Sequence, residues 1–416
     1  MQIFKFGGAS VKDADGVRNL ALVLKKVGYT KGVVIVSAMA KTTNALERVV
    51  FNYFDNKSEL QSSIQEVFKF HNDILFDLFE KENHQVFNKI KLLFEEIRTF
   101  IKVNKSPNYD FVYDQIVSYG ELLSTTIIFE YLNHQGIHNN WVDIRALIKT
   151  DSYYRKANVN WDATRKAIVS SIDNSVLNVT QGFIASDSNN FTTTLGREGS
   201  DYTAAILAYC LNAQSVTVWK DVPGVLNADP RYFENTQLLK KISYQEAIEL
   251  AFYGASVIHP KTLQPLQRKE IPLYVKSFLN PDQSGTRIGK GLPLEPAVPC
   301  FMLKQNQVLI AIASLDFSYI VEDNIRDIFN LLDTHKMKVD MIQNSAISFS
   351  VCIDNIYNNL EKLLQQLRAK FSVTYYENVS LYTIRHYTQS AIDNIEKDKQ
   401  VLLKQLTEQT VQIVTK

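Results

Sequence analysis

The sequence predicts an α/β domain with a largely parallel sheet, followed by a smaller α+β region. Over about the first 280 residues, short apolar runs alternate with longer segments of helical spacing, as in strand–helix–strand units. Residues 280–299 are rich in proline and glycine, and this composition marks a boundary between domains. We therefore expect a first domain over 1–285 with a helical insertion at about 45–105, a linker over 286–300, and a second region over 301–416.

The elements of the first domain follow from the spacing of apolar residues. Val17, Leu20 and Leu24 recur on one helical face, whereas residues 32–36 form a short continuous apolar run that is typical of a buried strand. The strands are predicted at 3–6, 32–36, 141–143, 175–180 and 215–219. The helices are predicted at 16–27, over almost all of 45–100, at 111–132 and at 201–211.

The second region shows shorter elements in a strand–helix–strand order. Strands are predicted at 307–313, 345–353 and 371–376, and helices at 322–334 and 358–370. Another strand–helix unit begins at 380–386, but the chain ends after a last apolar run at 411–414. We therefore expect two α+β modules, of which the second is truncated to about half a copy.

The bulk composition argues against several classes of protein. The 45 Lys and Arg residues balance the 44 Asp and Glu residues, so we expect no nucleic-acid binding. Cys210, Cys300 and Cys352 are widely separated, which argues against a disulfide framework or a structural zinc site and fits a reducing compartment. No signal-peptide core is visible, and no stretch approaches the roughly 18 apolar residues that span a bilayer. We expect a cytoplasmic protein without a membrane partner.

Two glycine-containing loops carry the strongest chemical signal. Residues 5–10 read Lys-Phe-Gly-Gly-Ala-Ser, and residues 192–201 read Thr-Thr-Thr-Leu-Gly-Arg-Glu-Gly-Ser-Asp. Glycines allow the backbone to approach a ligand closely, and free N–H groups at a helix start can hold phosphate oxygens. Lysine supplies a point charge for a phosphate, while the fork of arginine suits a carboxylate or a phosphate. Together the loops predict a phosphotransferase that acts on an acidic small molecule.

Each of these segments also has a purely structural interpretation. The glycine pair could close a tight turn with Lys5 merely exposed, and Ser200 or Asp201 could simply cap a helix. The clustering of Arg197 and Asp201 around two glycines favours a site, and helix capping does not exclude ligand binding.

Three further segments leave their alternatives open. Glu121 lies among apolar residues on a predicted helix and needs a cationic partner, which could be a substrate ammonium or, equally, a protein lysine or arginine. Residues 219–225 and 228–231 read as turns, which at the carboxyl edge of a parallel sheet would line a ligand crevice. His259, which precedes Pro260, is interpreted as a turn histidine rather than a general base.

The motifs, taken together and in order, resemble those of the aspartate kinases. They are Lys-Phe-Gly-Gly-x-Ser, Ser-x-Gly-Glu, Gly-Arg-x-Gly-Ser-Asp-Tyr-Thr-Ala, Trp-x-Asp-Val-Pro-Gly, Asp-Pro-Arg and Phe-x-Gly-Ala-x-Val-x-His-Pro, and they extend from residue 1 to about 390. The resemblance implies the amino-acid kinase fold, a three-layer α/β/α sandwich, followed by ACT-type regulatory modules. It implies ATP-dependent phosphorylation of the L-aspartate side chain to 4-phospho-L-aspartate, the first step towards lysine, methionine and threonine.

The resemblance also implies roles for individual residues. Lys5 would stabilise the transferred phosphoryl group, and Asp201 would orient Lys5 or the substrate. The substrate-binding positions would be Thr43, Glu121, which takes the α-ammonium, Arg197, which binds a carboxylate, and Ser200. The nucleotide-binding positions would be Lys5, Gly7, Gly8, Ser37, Lys220, Asp221, Arg231 and Ser256. With no cluster of His or Cys in the sequence, Mg²⁺ would be held mainly by the phosphates of ATP.

Several positions depart from the family pattern. Ala9, Glu198, Leu226 and Ser256 stand where the family commonly has threonine, glycine, tyrosine and a nucleotide-binding lysine. We expect weaker ATP binding but an active enzyme. The alternatives are a kinase of the same fold that acts on another acidic amino acid, and a non-catalytic amino-acid sensor.

The second region departs from the family pattern too. Residues 318–323 replace a glycine-containing loop of lysine-sensitive members, although Asp340 and Ser345 match effector-site positions. The resemblance implies an amino-acid effector at the ACT-like region and a homodimer formed through ACT modules. Which effector acts is left open.

Overall fold

The structure of this protein is a computed structural model that describes residues 1–28, 31–79, 83–255, 258–316 and 318–416. The chain divides into two compact units, each made of three segments. The segments of the first unit end at Val225, Ile248 and Leu294, and those of the second unit begin at Leu226, Glu249 and Glu295. Two short segments, which begin at Leu226 and Glu249, therefore group with the C-terminal region rather than with their sequence neighbours.

The first unit contains strands β1 to β10 and helices α1 to α11. The strands are β1 (Gln2–Phe6), β2 (Gly32–Val36), β3 (Asn139–Val142), β4 (Leu177–Gln181), β5 (Ile184–Ser186), β6 (Thr192–Thr194), β7 (Ser215–Lys220), β8 (Lys241–Ser243), β9 (Leu273–Ser277) and β10 (Thr286–Gly289). The helices are α1 (Ala14–Val27), α2 (Thr42–Asp55), α3 (Leu60–Leu78), α4 (Gln85–Val103), α5 (Tyr109–Val117), α6 (Tyr119–His134), α7 (Ile144–Leu147), α8 (Trp161–Ser171), α9 (Gly199–Leu211), α10 (Tyr244–Tyr253), which continues into the second unit, and α11 (Pro260–Arg268).

The main sheet has the strand order β3-β4-β2-β1-β7-β9-β10-β8, and all its pairs are parallel except β9–β10. Strand β1 lies centrally, with Lys5 opposite Ile35 of β2 and Val218 of β7. Successive strand residues point to opposite faces. Phe4 and Phe6 join a core with α1 and the helical insertion, whereas Lys5 lies on the face that α9 covers.

One helix that was predicted to be continuous is interrupted in the structure. The segment predicted as a single helix over 111–132 forms two helices, α5 and α6, that meet at Ser118. The Ser118 hydroxyl donates to the carbonyl of Gln115 at 2.9 Å, a side-chain bond to the preceding turn that often bends helices. Strands β5 and β6 form a separate two-stranded antiparallel sheet, so the threonine run lies beside the main sheet rather than in it.

The second unit contains a six-stranded antiparallel sheet with the order β12-β13-β11-β14-β16-β15. Its elements are β11 (Cys300–Ala313), α12 (Glu322–Thr334), β12 (Lys338–Asn344), β13 (Ser348–Asp354), α13 (Leu360–Arg368), β14 (Ser372–Arg385), α14 (Gln389–Glu396), β15 (Val401–Leu406) and β16 (Thr410–Thr415).

The predicted strand boundaries divide one strand of this sheet that is continuous in the structure. The separate strands predicted at 371–376 and 380–386 are one strand, β14, because it pairs with β11 from Cys300 opposite Arg385 to Ala313 opposite Ser372. Register irregularities between Lys304 and Leu309 interrupt this pairing without ending it. The pairing makes one sheet of two α+β modules.

In the described part of the chain, no helix is both long and apolar enough to cross a membrane.

Candidate active site

The carboxyl ends of β1, β2 and β7 meet at one edge of the main sheet because the three strands are parallel. A cavity of about 450 Å³ opens there. It brings together eight residues that the sequence predicts for the site: Lys5, Ser37, Thr43, Glu121, Arg197, Ser200, Asp201 and Lys220.

A buried ion-paired group forms one wall of this cavity. The Nζ atom of Lys5 lies 2.7 Å from Asp201 Oδ1, and the Nζ atom of Lys220 lies 3.6 Å from Asp201 Oδ2. Burial by itself would raise the pKa of Asp201, but the positive charges of Lys5 and Lys220 outweigh it, and the pKa is lowered. Asp201 therefore stays ionised and fixes two ammonium groups at the sheet edge, where they can meet phosphate oxygens.

Gly8, the second glycine after β1, is required by close backbone packing. A Cβ atom there would lie 2.7 Å from the carbonyl oxygen of Ala38. The Gly8 carbonyl also accepts a hydrogen bond from the Ala40 N–H at 3.1 Å. A side chain at Gly8 would thus separate the loops that follow β1 and β2, whereas a Cβ atom on Gly7 would make an ordinary contact with Lys5 Nζ at 3.4 Å.

Glu121 is a buried carboxylate without a charged partner. Its side chain is 2% exposed, and Oε1 accepts from the Ala38 N–H at 3.2 Å. Among the described residues, Glu121 forms no ion pair and its Oε2 has no hydrogen-bond partner. Burial raises the pKa of Glu121 to about 8, although the Ala38 hydrogen bond and the charge of Lys5 act in the opposite direction. Within the described residues, the protein cation that was one alternative for Glu121 is not found, which is compatible with a ligand ammonium there.

The loop before α9 supplies a guanidinium and a strained residue. Arg197 is exposed and lines the cavity, and no ion pair to it is found within the described ranges. Glu198 caps α9 with φ of 54°, a left-handed conformation that glycine adopts more readily. Its Oε2 atom is buried and unpaired in the same part of the chain. Thr43 lies in the first turn of α2, where it also faces the cavity.

Several lining residues were missed by sequence reasoning. Tyr113, Arg155 and Phe183 line the cavity, yet none of them lies in a segment that the sequence singles out. Gly182 was missed as well: a Cβ there would lie 2.4 Å from the Cβ of Ser200, so glycine lets the start of α9 approach the end of β4. The Gln181-Gly182 step directly after a predicted strand was the available signal.

Other predicted residues are not brought into the cavity lining. Asp221 is exposed just beyond β7 and does not line the cavity. Arg231 belongs to the second unit, where it pairs with Asp229 at 2.5 Å, and Ser256 lies outside the described residues. His259 caps α11, and its Nδ1 accepts from the Lys261 N–H at 3.1 Å, as expected for a turn histidine.

Comparisons with known proteins identify the family of this chain. Residues 1–277 match the Amino acid kinase family. The chain is 30% identical over 400 residues to lysine-sensitive aspartokinase 3 of Escherichia coli (strain K12), covering 92% of this chain and 86% of that protein. It is 29% identical to a bifunctional aspartokinase/homoserine dehydrogenase of Daucus carota, of which it spans 42%.

The fold matches a solved structure over its whole length. The crystal structure of E. coli aspartokinase III in complex with aspartate and ADP superposes with a TM-score of 0.82 at 28% identity, covering 100% of this chain and 96% of that one. The predicted fold class, a three-layer α/β/α sandwich followed by a smaller ACT-like α+β region, is therefore confirmed. On these matches, the chain belongs to the amino acid kinase family and, within it, to the aspartokinases.

Proposed function

We propose that this protein transfers the γ-phosphoryl group of ATP to the side-chain carboxylate of L-aspartate, forming 4-phospho-L-aspartate. The reaction would be the first step towards lysine, methionine and threonine. The observation that carries the proposal is that one cavity is lined both by the buried carboxylate of Glu121, which has no cationic partner among the described residues, and by an ammonium pair held by Asp201. The E. coli relative that binds aspartate and ADP supports both halves.

The acceptor end suits an amino diacid. The α-ammonium of L-aspartate would pair with Glu121, whose ionised form has no other cation among the described residues. Arg197 would bind a carboxylate with its planar fork, and Thr43 and Ser200 would offer hydroxyl groups. An ammonium at Glu121 would remove the cost of burying that charge, so amino-acid binding and Glu121 ionisation favour each other.

The donor end suits the phosphates of a nucleotide. Lys5 and Lys220 present two ammonium groups at the cavity, and the glycine pair Gly7-Gly8 follows Lys5 closely in the loop after β1. Asp221, Arg231 and Ser256 stay predicted nucleotide positions. A metal ion would be held chiefly by ATP, since no group of three or more His, Cys, Asp or Glu in the described residues could hold one. Mg²⁺ bound to ATP would neutralise phosphate charge.

No general base is required for this transfer. The acceptor carboxylate is ionised at neutral pH, so its oxygen can attack without losing a proton. The protein has to hold acceptor and donor in line and to neutralise the charge that spreads over the transferring oxygens. Lys5 would supply that charge from a fixed position, since its ion pair with Asp201 restrains the ammonium.

The ACT-like sheet is proposed to bind an amino-acid effector and to form a homodimer. The side chain of Asp340 in β12 is 4% exposed, with its carboxylate 2.7 Å from Lys304 Nζ and 3.4 Å from Lys338 Nζ. A basic effector at this position would have to displace these two ammonium groups from Asp340 or share its carboxylate with them. Sensitivity to lysine, which the name of the E. coli relative states, is therefore a separate question for this chain.

An ADP-release assay with L-aspartate, with L-glutamate and without acceptor tests the proposal. We expect ATP consumption that depends on L-aspartate, together with a hydroxylamine-trappable acyl phosphate. Turnover with L-glutamate alone would point to another acceptor, and absence of turnover with every acceptor would point to a sensor.

A further inference from the structure

We propose that Arg155 is a second substrate-binding arginine, which together with Arg197 binds the α-carboxylate of L-aspartate. The inference rests on the proposed function and extends its acceptor site. Arg155 lines the same cavity as Glu121 and Arg197 but lies in none of the motifs that identify the family.

The backbone at Arg155 is held in an unusual conformation. Its φ is 64°, in the left-handed region that residues other than glycine rarely adopt. The Arg155 N–H donates to both oxygens of Asp114, at 3.1 and 3.0 Å. Such a backbone conformation persists only where surrounding contacts impose it. Backbone conformations of this kind are common at ligand sites.

Asp114 ties the Arg155 loop to the loop that carries Arg197. The Asp114 side chain is fully buried and also accepts from the N–H and the hydroxyl of Thr194, at 2.9 and 2.8 Å. Thr194 ends β6 and leads within three residues to Arg197. One carboxylate therefore fixes the two arginine-bearing segments relative to each other.

The guanidinium of Arg155 is restrained but exchangeable. It lies 4.1 Å from the ring centroid of Tyr113, which also lines the cavity. Its charged partners are Glu47 at 3.0 Å and Asp110 at 3.6 Å, and these side chains are 42% and 56% exposed. Exposed ion pairs of this kind contribute little, so a substrate carboxylate can replace them without a large cost.

The charges of the cavity leave a place for this contact. Lys5 and Lys220 are engaged by Asp201, so the two arginines are the remaining cations in the described lining. L-Aspartate carries two carboxylates, of which one must stay free to attack. The other can bind both guanidinium groups, since each offers a planar fork of donors.

The test is a kinetic comparison of Arg155→Gln with wild type. We expect the KM for L-aspartate to rise about tenfold or more, with the KM for ATP and kcat within about threefold, because the contact holds the acceptor before and during transfer. Arg155→Lys should fall between the two. Lys156→Gln, a matched loss of charge at the exposed neighbouring residue, should behave as wild type.

Two further measurements distinguish a substrate-binding role of Arg155 from a purely structural one. Glu47→Gln removes the nearer of the two charged partners of Arg155 and should leave the KM for L-aspartate unchanged or lower; an increase equal to that of Arg155→Gln would overturn the proposal. With the α-amide of L-aspartate as acceptor, the effect of Arg155→Gln should shrink to about threefold or less. The same factor for both acceptors would also overturn it.

Calorimetric titration of L-aspartate into the full chain separates this inference from the proposed function. Weaker binding to Arg155→Gln than to wild type supports the role of Arg155 even if turnover with L-aspartate were absent. Equal affinity of the two proteins would refute it, whatever the activity.

Discussion

Glu121 and Asp201 are two buried carboxylates in one cavity, and their surroundings drive their pKa values in opposite directions. Asp201 has Lys5 and Lys220 beside it, and its pKa is lowered. Glu121 has only an amide hydrogen bond among the described residues, and burial raises its pKa to about 8. The difference shows that Asp201 already has cationic partners within the protein, whereas Glu121 has none among the described residues. We propose that the substrate ammonium supplies that cation.

The largest expected effect concerns the Lys5–Asp201 ion pair, that is, the carboxylate that already has cationic partners. Lys5→Met keeps the alkyl chain but removes the charge that Asp201 holds towards the phosphates. We expect kcat to fall by about 10³-fold, since the contact strengthens as charge develops in the transition state. Steady-state kinetics measure this, with circular dichroism as a check on folding. Turnover near that of wild type would remove Lys5 from the mechanism.

A smaller effect is expected at Glu121, the carboxylate without a cationic partner among the described residues. Glu121→Gln keeps the shape and the Ala38 hydrogen bond but removes the charge that we propose to pair with the α-ammonium. The KM for L-aspartate should rise by about 10- to 100-fold, as for a lost hydrogen-bonded charge, while the KM for ATP changes little. An equal rise for both substrates would contradict the division of the cavity into two ends.

The same substitution should change the pH dependence of stability. Between its usual pKa of 4.5 and the folded value of about 8, Glu121 binds more protons in the folded chain than in the unfolded chain. The ligand-free protein therefore loses stability as pH rises through this window, and Glu121→Gln should gain about 1–3 kcal/mol relative to wild type at about pH 8.

Urea unfolding of both proteins at about pH 5 and about pH 8 measures the difference. Parallel pH dependences would show that Glu121 already has a cation in the free protein. Added L-aspartate should reduce the advantage of the variant, because the ammonium stabilises the ionised carboxylate of wild type.

The smallest effect is expected at Glu198, in the cavity lining. Glu198→Gly relieves a left-handed backbone and removes a buried, unpaired oxygen. The folded state should gain about 0.5–1 kcal/mol, with kcat within about threefold. Thermal unfolding measures the gain. A loss of stability would show that the Glu198 side chain holds the loop in place.

Sequence reasoning reached the residues whose chemistry is carried by local motifs. Lys5, Glu121, Arg197 and Asp201 all lie in short recognisable segments, and the structure brings them to one cavity. Arg155 was missed because its segment is held beside the cavity by a backbone bond to Asp114, 41 positions away, which no local motif reveals. The continuity of β14 was missed for a related reason: pairing with a distant strand, rather than apolar spacing, sets its length.

The α/β class of the first domain, the motif residues that line the cavity and the resemblance to the family were determined by the sequence alone, because residue types at short spacing specify turns, strands and charged loops. The tertiary structure decided which charges find partners. Among the described residues, burial and distance, which no local pattern encodes, left Glu121 without a cation and gave Asp201 two.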